Sequence, residues 1–167
     1  MDRRLRPLAF AVGAVILASV LTSGVSVAAA TRRVIDLPER FRGADQAVVG
    51  RVVKVEPVWQ RTASGDELIV SRVELAVEET LKGAPVRTIA VDVEGGQIGD
   101  LVLTVSDLPT LRAGERAVVL VARDRAGRVV PHLRGLGILK LDERGMVPGS
   151  SLSLDMIREA ARATGAR

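Results

Sequence analysis

The chain has 167 residues, a formal net charge of +4, no cysteine and a hydrophobic share of 47%. This composition excludes an intrinsically disordered chain, and the lack of cysteine excludes disulfide bonds and argues strongly against the usual zinc sites. Aromatic residues make up only 2% of the sequence. Barrels that hold single-stranded nucleic acid or sugars use aromatic platforms, so this shortage argues against both ligands.

Residues 1–30 predict an export signal. Three arginines near the N-terminus precede an uncharged apolar run that begins at Leu8, and small residues at 28–30 suit cleavage before Thr31. If this segment stays uncleaved, it is long enough to anchor the chain in a membrane. In both cases the basic flank stays cytoplasmic, and the rest of the chain is predicted to be periplasmic, cell-surface or secreted.

The first predicted elements after this segment are a short helix and a long strand. Residues 31–43 predict the helix, with Pro38 near its first turn and Gly43 at its end. A run rich in β-branched residues from Ala47 to Val58 predicts the strand. Gly50 interrupts this run and predicts a bulge or sharp bend there.

Four further strands are predicted between residues 60 and 123. A polar hairpin loop over Gln60–Glu67 leads into an amphipathic strand from Leu68 to Leu81. The stretch Val86–Arg123 then predicts three strands held in register by two glycine-bearing connections. The first connection contains Gly95–Gly99, and the second is a turn at Ala113–Glu115.

The last strand of that stretch is predicted to lie at the centre of the sheet, because Val118–Val121 is apolar without a break. A hairpin turn at Asp124–Gly127 and a return strand at Val129–Val130 follow. Another strand is predicted over Gly137–Leu141. Ser153 is the predicted N-cap of a C-terminal helix.

Together these elements predict a mainly β fold with a short leading helix and a C-terminal helix. Seven or eight short strands separated by turns favour an antiparallel Greek-key barrel or a sandwich. A long bent strand followed by a long amphipathic one favours the OB-like barrel. The barrel domain is predicted over residues 44–148, and the helix or tail over 149–167.

Several short motifs resemble, in their order and spacing, a family of uncharacterised exported bacterial β-barrel proteins. The motifs are Ala44-Asp45, Val48-Val49-Gly50-Arg51-Val52, Leu81-Lys82-Gly83, Gly95-Gly96 with Gly99-Asp100, Leu108-Pro109, and Gly114-Glu115. The first strand and the Leu-Lys-Gly ending are also similar, more distantly, to the netrin-like barrel of tissue inhibitors of metalloproteinases. Those inhibitors insert an N-terminal cysteine into a protease's zinc site. A chain without cysteine can share at most their architecture and a protein-binding role.

The sequence does not predict an enzyme, a cofactor or a metal. His132 is the only imidazole that could act as a base, and no Gly-x-Ser-x-Gly motif presents a serine to it. Four carboxylates bracket the glycine turn: Asp92, Glu94, Asp100 and Asp107. They leave two alternatives open, a carboxylate-dependent hydrolase and a calcium-stabilised structural envelope protein.

The favoured hypothesis is a non-enzymatic binding module that recognises another envelope or secreted protein through its loops. Its contact rim combines the hairpin at Gln60–Glu67 with the loop at Gly95–Asp100. The predicted rim residues are Trp59, Gly65, Asp66, Gly95, Gly96, Gln97, Gly99 and Asp100. A secreted protease is one candidate partner. No nucleic-acid partner is predicted, and membrane contact is limited to the N-terminal segment if it is uncleaved.

Overall fold

Strands dominate the computed structural model, which describes residues 36–62 and 65–165. The strands are β1 (Gln46–Arg61), β2 (Glu67–Lys82), β3 (Thr88–Glu94), β4 (Gly96–Ile98), β5 (Leu101–Leu103), β6 (Arg116–Arg123), β7 (Val129–Pro131) and β8 (Ile138–Leu141). The helices are α1 (Leu37–Gly43) and α2 (Leu154–Ala163), and a short 3-10 helix spans Arg134–Gly137. The predicted mainly β class with two helices is therefore confirmed.

The predicted export signal over residues 1–30 lies outside the described residues, as do residues 31–35 of the predicted leading helix. Within the described part, no helix combines the length and the apolar character needed to cross a bilayer. The remainder of the leading helix is confirmed as α1. Pro38 occupies its first turn, where the missing amide costs no hydrogen bond, and the Asp36 side chain caps it by accepting from the Glu39 amide.

Six strands form one antiparallel sheet in the order β3-β2-β1-β6-β7, and β8 also pairs with β6. The central position of β6 is confirmed, because β1 lies on one side of it and β7 and β8 lie on the other. At the two ends of this path, β3 and β7 lie in contact. No strand pairing joins them among the described residues, so hydrogen bonds do not close the sheet into a barrel.

Strand β1 is irregular at the glycine that the sequence singles out. A shift in the β1–β2 register occurs at Gly50. A Cβ at this position would lie 2.8 Å from the carbonyl oxygen of Ala76, so the two strands approach this closely only because the residue is glycine. Strand β1 pairs with β6 only as far as Arg51. Over Val53–Arg61, one edge of β1 therefore has no strand partner among the described residues.

The predicted hairpin loop at Gln60–Glu67 is wrong at both ends. Residues Gln60 and Arg61 belong to β1, and Glu67 belongs to β2. The cross-strand register continues to the pair Arg61 and Glu67, whose side chains form an ion pair of 3.4 Å. This pairing of opposite charges extends the ladder and leaves only residues 62–66 for the turn.

The prediction that three strands between residues 86 and 123 keep one register is also wrong. Strands β4 and β5 form a separate two-stranded sheet, and the predicted strand residue Val105 follows β5 in a loop. The chain leaves the main sheet at Gly95-Gly96, where both residues adopt positive φ angles. The same glycines that predict a turn thus redirect the chain out of the sheet.

Two hydrophobic clusters stabilise the fold, one on each face of β6. The first lies between the sheet and the two helices and contains Phe41, Leu120 and Ile157. The second lies on the opposite face and contains Val73 and Val119. Alternate residues of β6 point into the two clusters, which is why its apolar run is unbroken.

An ion-pair network joins α2 to β2. The Arg158 guanidinium donates to both carboxylate oxygens of Glu79 and also to Asp155. We expect Arg158→Met, which keeps the aliphatic part of the side chain and removes its charge, to lower the Tm by about 2–5 °C, because bidentate pairs are the stronger surface ion pairs. Asp155→Asn is the matched control and should change the Tm less, because the Asp155 side chain is largely exposed. Calorimetry tests both variants, and an unchanged Tm for Arg158→Met would contradict the prediction.

Candidate functional site

An apolar cavity of about 330 Å³ lies beside the two-stranded sheet that β4 and β5 form. It is bounded by the β1–β2 pair, by the hairpin β4–β5 and by the segment 104–111. Its apolar lining includes Val55, Val73, Val93, Leu103, Leu108 and Leu111. Three of the predicted rim residues, Gly95, Gly96 and Gln97, also line it. The predicted glycine loop is therefore part of the cavity wall.

The double glycine holds the hairpin against β1 and β2. The Gly95 amide donates to the Ile69 carbonyl at 2.8 Å, and the Gly95 carbonyl accepts from the Ser71 hydroxyl at 2.7 Å. A Cβ on Gly96 would lie 2.6 Å from the Ser71 hydroxyl oxygen and 3.3 Å from the Pro57 Cβ. A side chain at Gly96 would therefore collide with its neighbours, and the φ of 139° there is also unfavourable for residues other than glycine.

The hairpin presents apolar side chains to solvent. Leu101 is 60% exposed and Val102 is 64% exposed. Gln97 lies opposite Val102 in the register, and its side chain donates to the carbonyl of Gly99. Gly99 and Asp100 form the turn at the tip, where the φ of 58° at Gly99 favours glycine.

Trp59 is linked to this hairpin through Ile69 of β2. It stands directly opposite Ile69 in the β1–β2 register, and the Ile69 side chain approaches Gly96. The Trp59 side chain is 49% exposed. Gly65 and Asp66 lie further along, in the β1–β2 turn, and do not line the cavity.

The segment 104–111 forms the outer wall of the cavity, and Arg134 holds it in place. Sequence analysis did not identify this arginine. Its guanidinium contacts Asp107 at 2.6 Å and Glu94 at 3.1 Å, so it connects the end of β3 to the segment 104–111. Arg134 and its neighbour Leu133 both have a φ of 56°, which is unfavourable for residues with a side chain. No local motif marks this arginine, because its partners lie 27 and more residues away in the sequence.

The four predicted carboxylates are not arranged as an acid–base pair. Asp92 contacts Arg72 at 3.1 Å, and Glu94 and Asp107 both contact Arg134. A general acid at neutral pH needs a raised pKa. The hydrogen bond from Arg134 instead holds the pKa of Asp107 below its usual range. Asp100 stands apart, at the tip of the hairpin.

A calcium site also lacks support in the described part of the chain. No group of three or more acidic or histidine side chains there could hold a metal ion. Three of the four carboxylates, Asp92, Glu94 and Asp107, already contact arginines, whereas Ca²⁺ requires six to eight oxygen ligands.

His132 lies away from the cavity lining and packs against α1. A Cβ on Gly43 would lie 2.6 Å from the His132 Nε2, so the ring fits only beside a glycine. Burial lowers the pKa of His132, nearby Lys82 lowers it further, and Asp45 opposes this shift. Its place in the structure is that of a packed structural side chain.

We expect the free energy of unfolding to decrease as the pH is lowered from 8 to 5. A histidine whose pKa is lowered by folding binds its proton more readily in the unfolded chain, so stability is lost as the pH falls below about 6.5. His132 is the only histidine in the sequence, and the variant His132→Gln should therefore show a flatter pH dependence. Urea unfolding at fixed pH values measures both proteins. Equal slopes would contradict the assigned role.

No family model and no curated protein matches this chain. Its own residues give the site a defined geometry. That geometry combines exposed apolar side chains, a preformed apolar cavity and paired charges around them. Such a surface can bind apolar groups.

Proposed function

We propose that this protein is an exported, non-enzymatic β-barrel module that binds another envelope or secreted protein. Export is supported by the basic and apolar character of residues 1–30. An OB-like barrel is supported by the contact between β3 and β7 at the two ends of the sheet path. In this proposal, side-chain packing between β3 and β7 takes the place of a complete ladder of hydrogen bonds.

A group of exposed apolar side chains carries the proposal. Trp59, Leu101 and Val102 are each about half exposed or more, and they lie on elements that flank one cavity. Single exposed apolar residues are ordinary, but clusters of them beside a pocket are typical of protein interaction sites. Trp59 is also the only tryptophan in the chain, and tryptophan is enriched among the residues that dominate binding energy.

The other rim residues surround this apolar centre. Gly65 and Asp66 lie in the β1–β2 turn, and Gly99 and Asp100 lie at the tip of the β4–β5 hairpin. They provide the polar, solvent-accessible border that surrounds the core of a typical interface. The resemblance of the sequence motifs to the netrin-like barrel supports a secreted protease as one candidate partner.

Site-specific crosslinking tests the proposal. The photoreactive residue p-benzoylphenylalanine replaces Trp59 or Leu101 in the full chain, expressed in its native cells. The control position is Met156, which is 50% exposed on α2. We expect one discrete protein adduct from the first two positions and none from the third, with its identity established by mass spectrometry.

The protein identified in this way is then purified and titrated against the unaltered chain. Trp59→Ala should weaken its binding about tenfold or more and lower the free energy of unfolding by no more than about 1 kcal/mol. Absence of an adduct, or equal adducts from Met156, would overturn the proposal. Unchanged affinity for Trp59→Ala would show that Trp59 does not carry the binding energy and would contradict its central role.

A further inference from the structure

We propose that the cavity beside the β4–β5 hairpin receives one large, uncharged apolar side chain of the protein partner. This inference rests on the proposed function and specifies what the partner presents at this site. The occupant is a leucine-like or phenylalanine-like group on the partner's surface. Three properties of the cavity support it: its size, its charge balance and its preformed walls.

The size of the cavity limits what can enter it. Its volume of about 330 Å³ lies at the lower end of the range of about 300–1,000 Å³ that is typical of ligand sites. A helix, which is about 10–12 Å across with its side chains, is too large to enter. Val55, Val73 and Leu103 provide an apolar lining against which a single side chain can pack. Burying one such side chain removes apolar surface from water and is favourable.

The charge balance of the cavity favours an uncharged group. Among the described residues that line it, Glu94 alone is charged, and its carboxylate already contacts Arg134 at 3.1 Å. The Ser71 hydroxyl is also engaged, because it donates to the Gly95 carbonyl. An inserted ammonium or carboxylate group would lose water without meeting an unpaired charge of opposite sign among these lining residues, and this loss is costly.

The walls of the cavity are held in place before a partner arrives. Asp107 contacts Arg134 at 2.6 Å, and the Lys140 ammonium donates to the Thr110 carbonyl at 3.2 Å. These contacts tie the segment 104–111 to the rest of the protein at two points. A preformed pocket avoids the entropy cost of ordering a loop on binding, and it suits an anchor side chain.

Small amino-acid derivatives test the inference directly. The probes are N-acetyl-leucine amide, N-acetyl-phenylalanine amide and, as a charged control, N-acetyl-glutamate amide. We expect the first two to cause saturable chemical-shift changes in the methyl groups of Val55, Val73 and Leu103. The charged probe should cause none. Changes scattered over other methyl groups, or equal binding of the charged probe, would overturn the inference.

Substitutions that fill the cavity provide the second test. Val55→Phe places a ring in the cavity and should weaken probe binding at least tenfold. Val105→Phe, from the opposite wall, should act alike and serves as the second variant if the first fails to fold. The matched control is Val53→Phe on the same strand, where the side chain is 51% exposed and does not line the cavity. Unchanged probe binding in a folded cavity variant would overturn the inference.

The crosslinking experiment separates this inference from the proposed function. If the adduct from Trp59 forms equally well in the Val55→Phe and unaltered backgrounds, a partner binds but no side chain enters the cavity. If the adduct is lost in Val55→Phe and kept in Val53→Phe, the inference is supported. Absence of an adduct in the unaltered background overturns the proposed function itself.

Discussion

Replacing Phe41 with alanine is expected to lower the free energy of unfolding by about 3–5 kcal/mol. The ring is fully buried in the cluster between the sheet and the helices, where Leu120 and Ile157 also lie. Its removal leaves a cavity at the point where α1 joins the core. The free energy also decreases because the apolar surface of the ring is no longer buried.

Chemical denaturation, monitored by circular dichroism, measures this loss of free energy. The matched control is Trp59→Ala, because Trp59 is aromatic and half exposed. It should change stability by no more than about 1 kcal/mol, since surface substitutions rarely cost more. If Phe41→Ala loses as little stability as Trp59→Ala, α1 is not part of the cooperative core.

The second large effect is expected at Gly135. A Cβ at this position would collide with the carbonyl oxygen of Asp107 and lie 2.8 Å from the Asp107 carbonyl carbon. Because the contact is with backbone atoms, no side-chain rotation relieves it. We expect Gly135→Ala to lower the free energy of unfolding by about 3 kcal/mol and to displace the segment 104–111.

Hydrogen exchange measured by mass spectrometry detects this displacement, since amides of residues 104–111 should exchange faster in the variant. Gly99→Ala is the control. Gly99 has a φ of 58°, and nothing lies near the position of its Cβ. That variant should lose only about 1–2 kcal/mol, from backbone strain alone. Equal effects at the two glycines would mean that the contact with Asp107 is unimportant.

Local patterns in the sequence predicted most of the regular elements. The unbroken apolar run at Val118–Val121 identified the central strand, and Gly50 identified the register shift in β1. Ser153 was correctly predicted to cap α2, where its side chain accepts from the Met156 amide. Each of these features depends on residues that are close together in the chain. Periodicity and capping preferences report on such features directly.

Features that depend on distant residues were not predicted. The alternation at Leu101 and Leu103 is the same in a separate hairpin as in the main sheet, so periodicity did not distinguish the two. The strand ends near Arg61 and Glu67 were extended by a cross-strand ion pair, which a polar composition does not indicate. The sheet order itself depends on contacts between β1 and β6, over 60 residues apart.

The chemical character of individual residues allowed part of the candidate site to be predicted from the sequence. Trp59 stood out because tryptophan is rare in this chain, and Gly95-Gly96 stood out because consecutive glycines allow special backbone angles. The outer wall of the cavity was missed, because Arg134 joins β3 to the segment 104–111 only in the folded chain. The local sequence composition does not indicate such a contact.

The unpaired edge of β1 has a consequence for how copies of this protein behave at high concentration. Pro57 pairs with β2 on one side, and its other side belongs to the edge that has no strand partner among the described residues. It offers no amide proton, and Lys54 and Glu56 beside it carry charges that pair with each other at 2.7 Å. Proline and charged side chains on an exposed edge hinder the addition of another strand. We therefore expect concentrated solutions to resist fibril growth along this edge, and Pro57→Val to weaken that resistance, as thioflavin fluorescence would show.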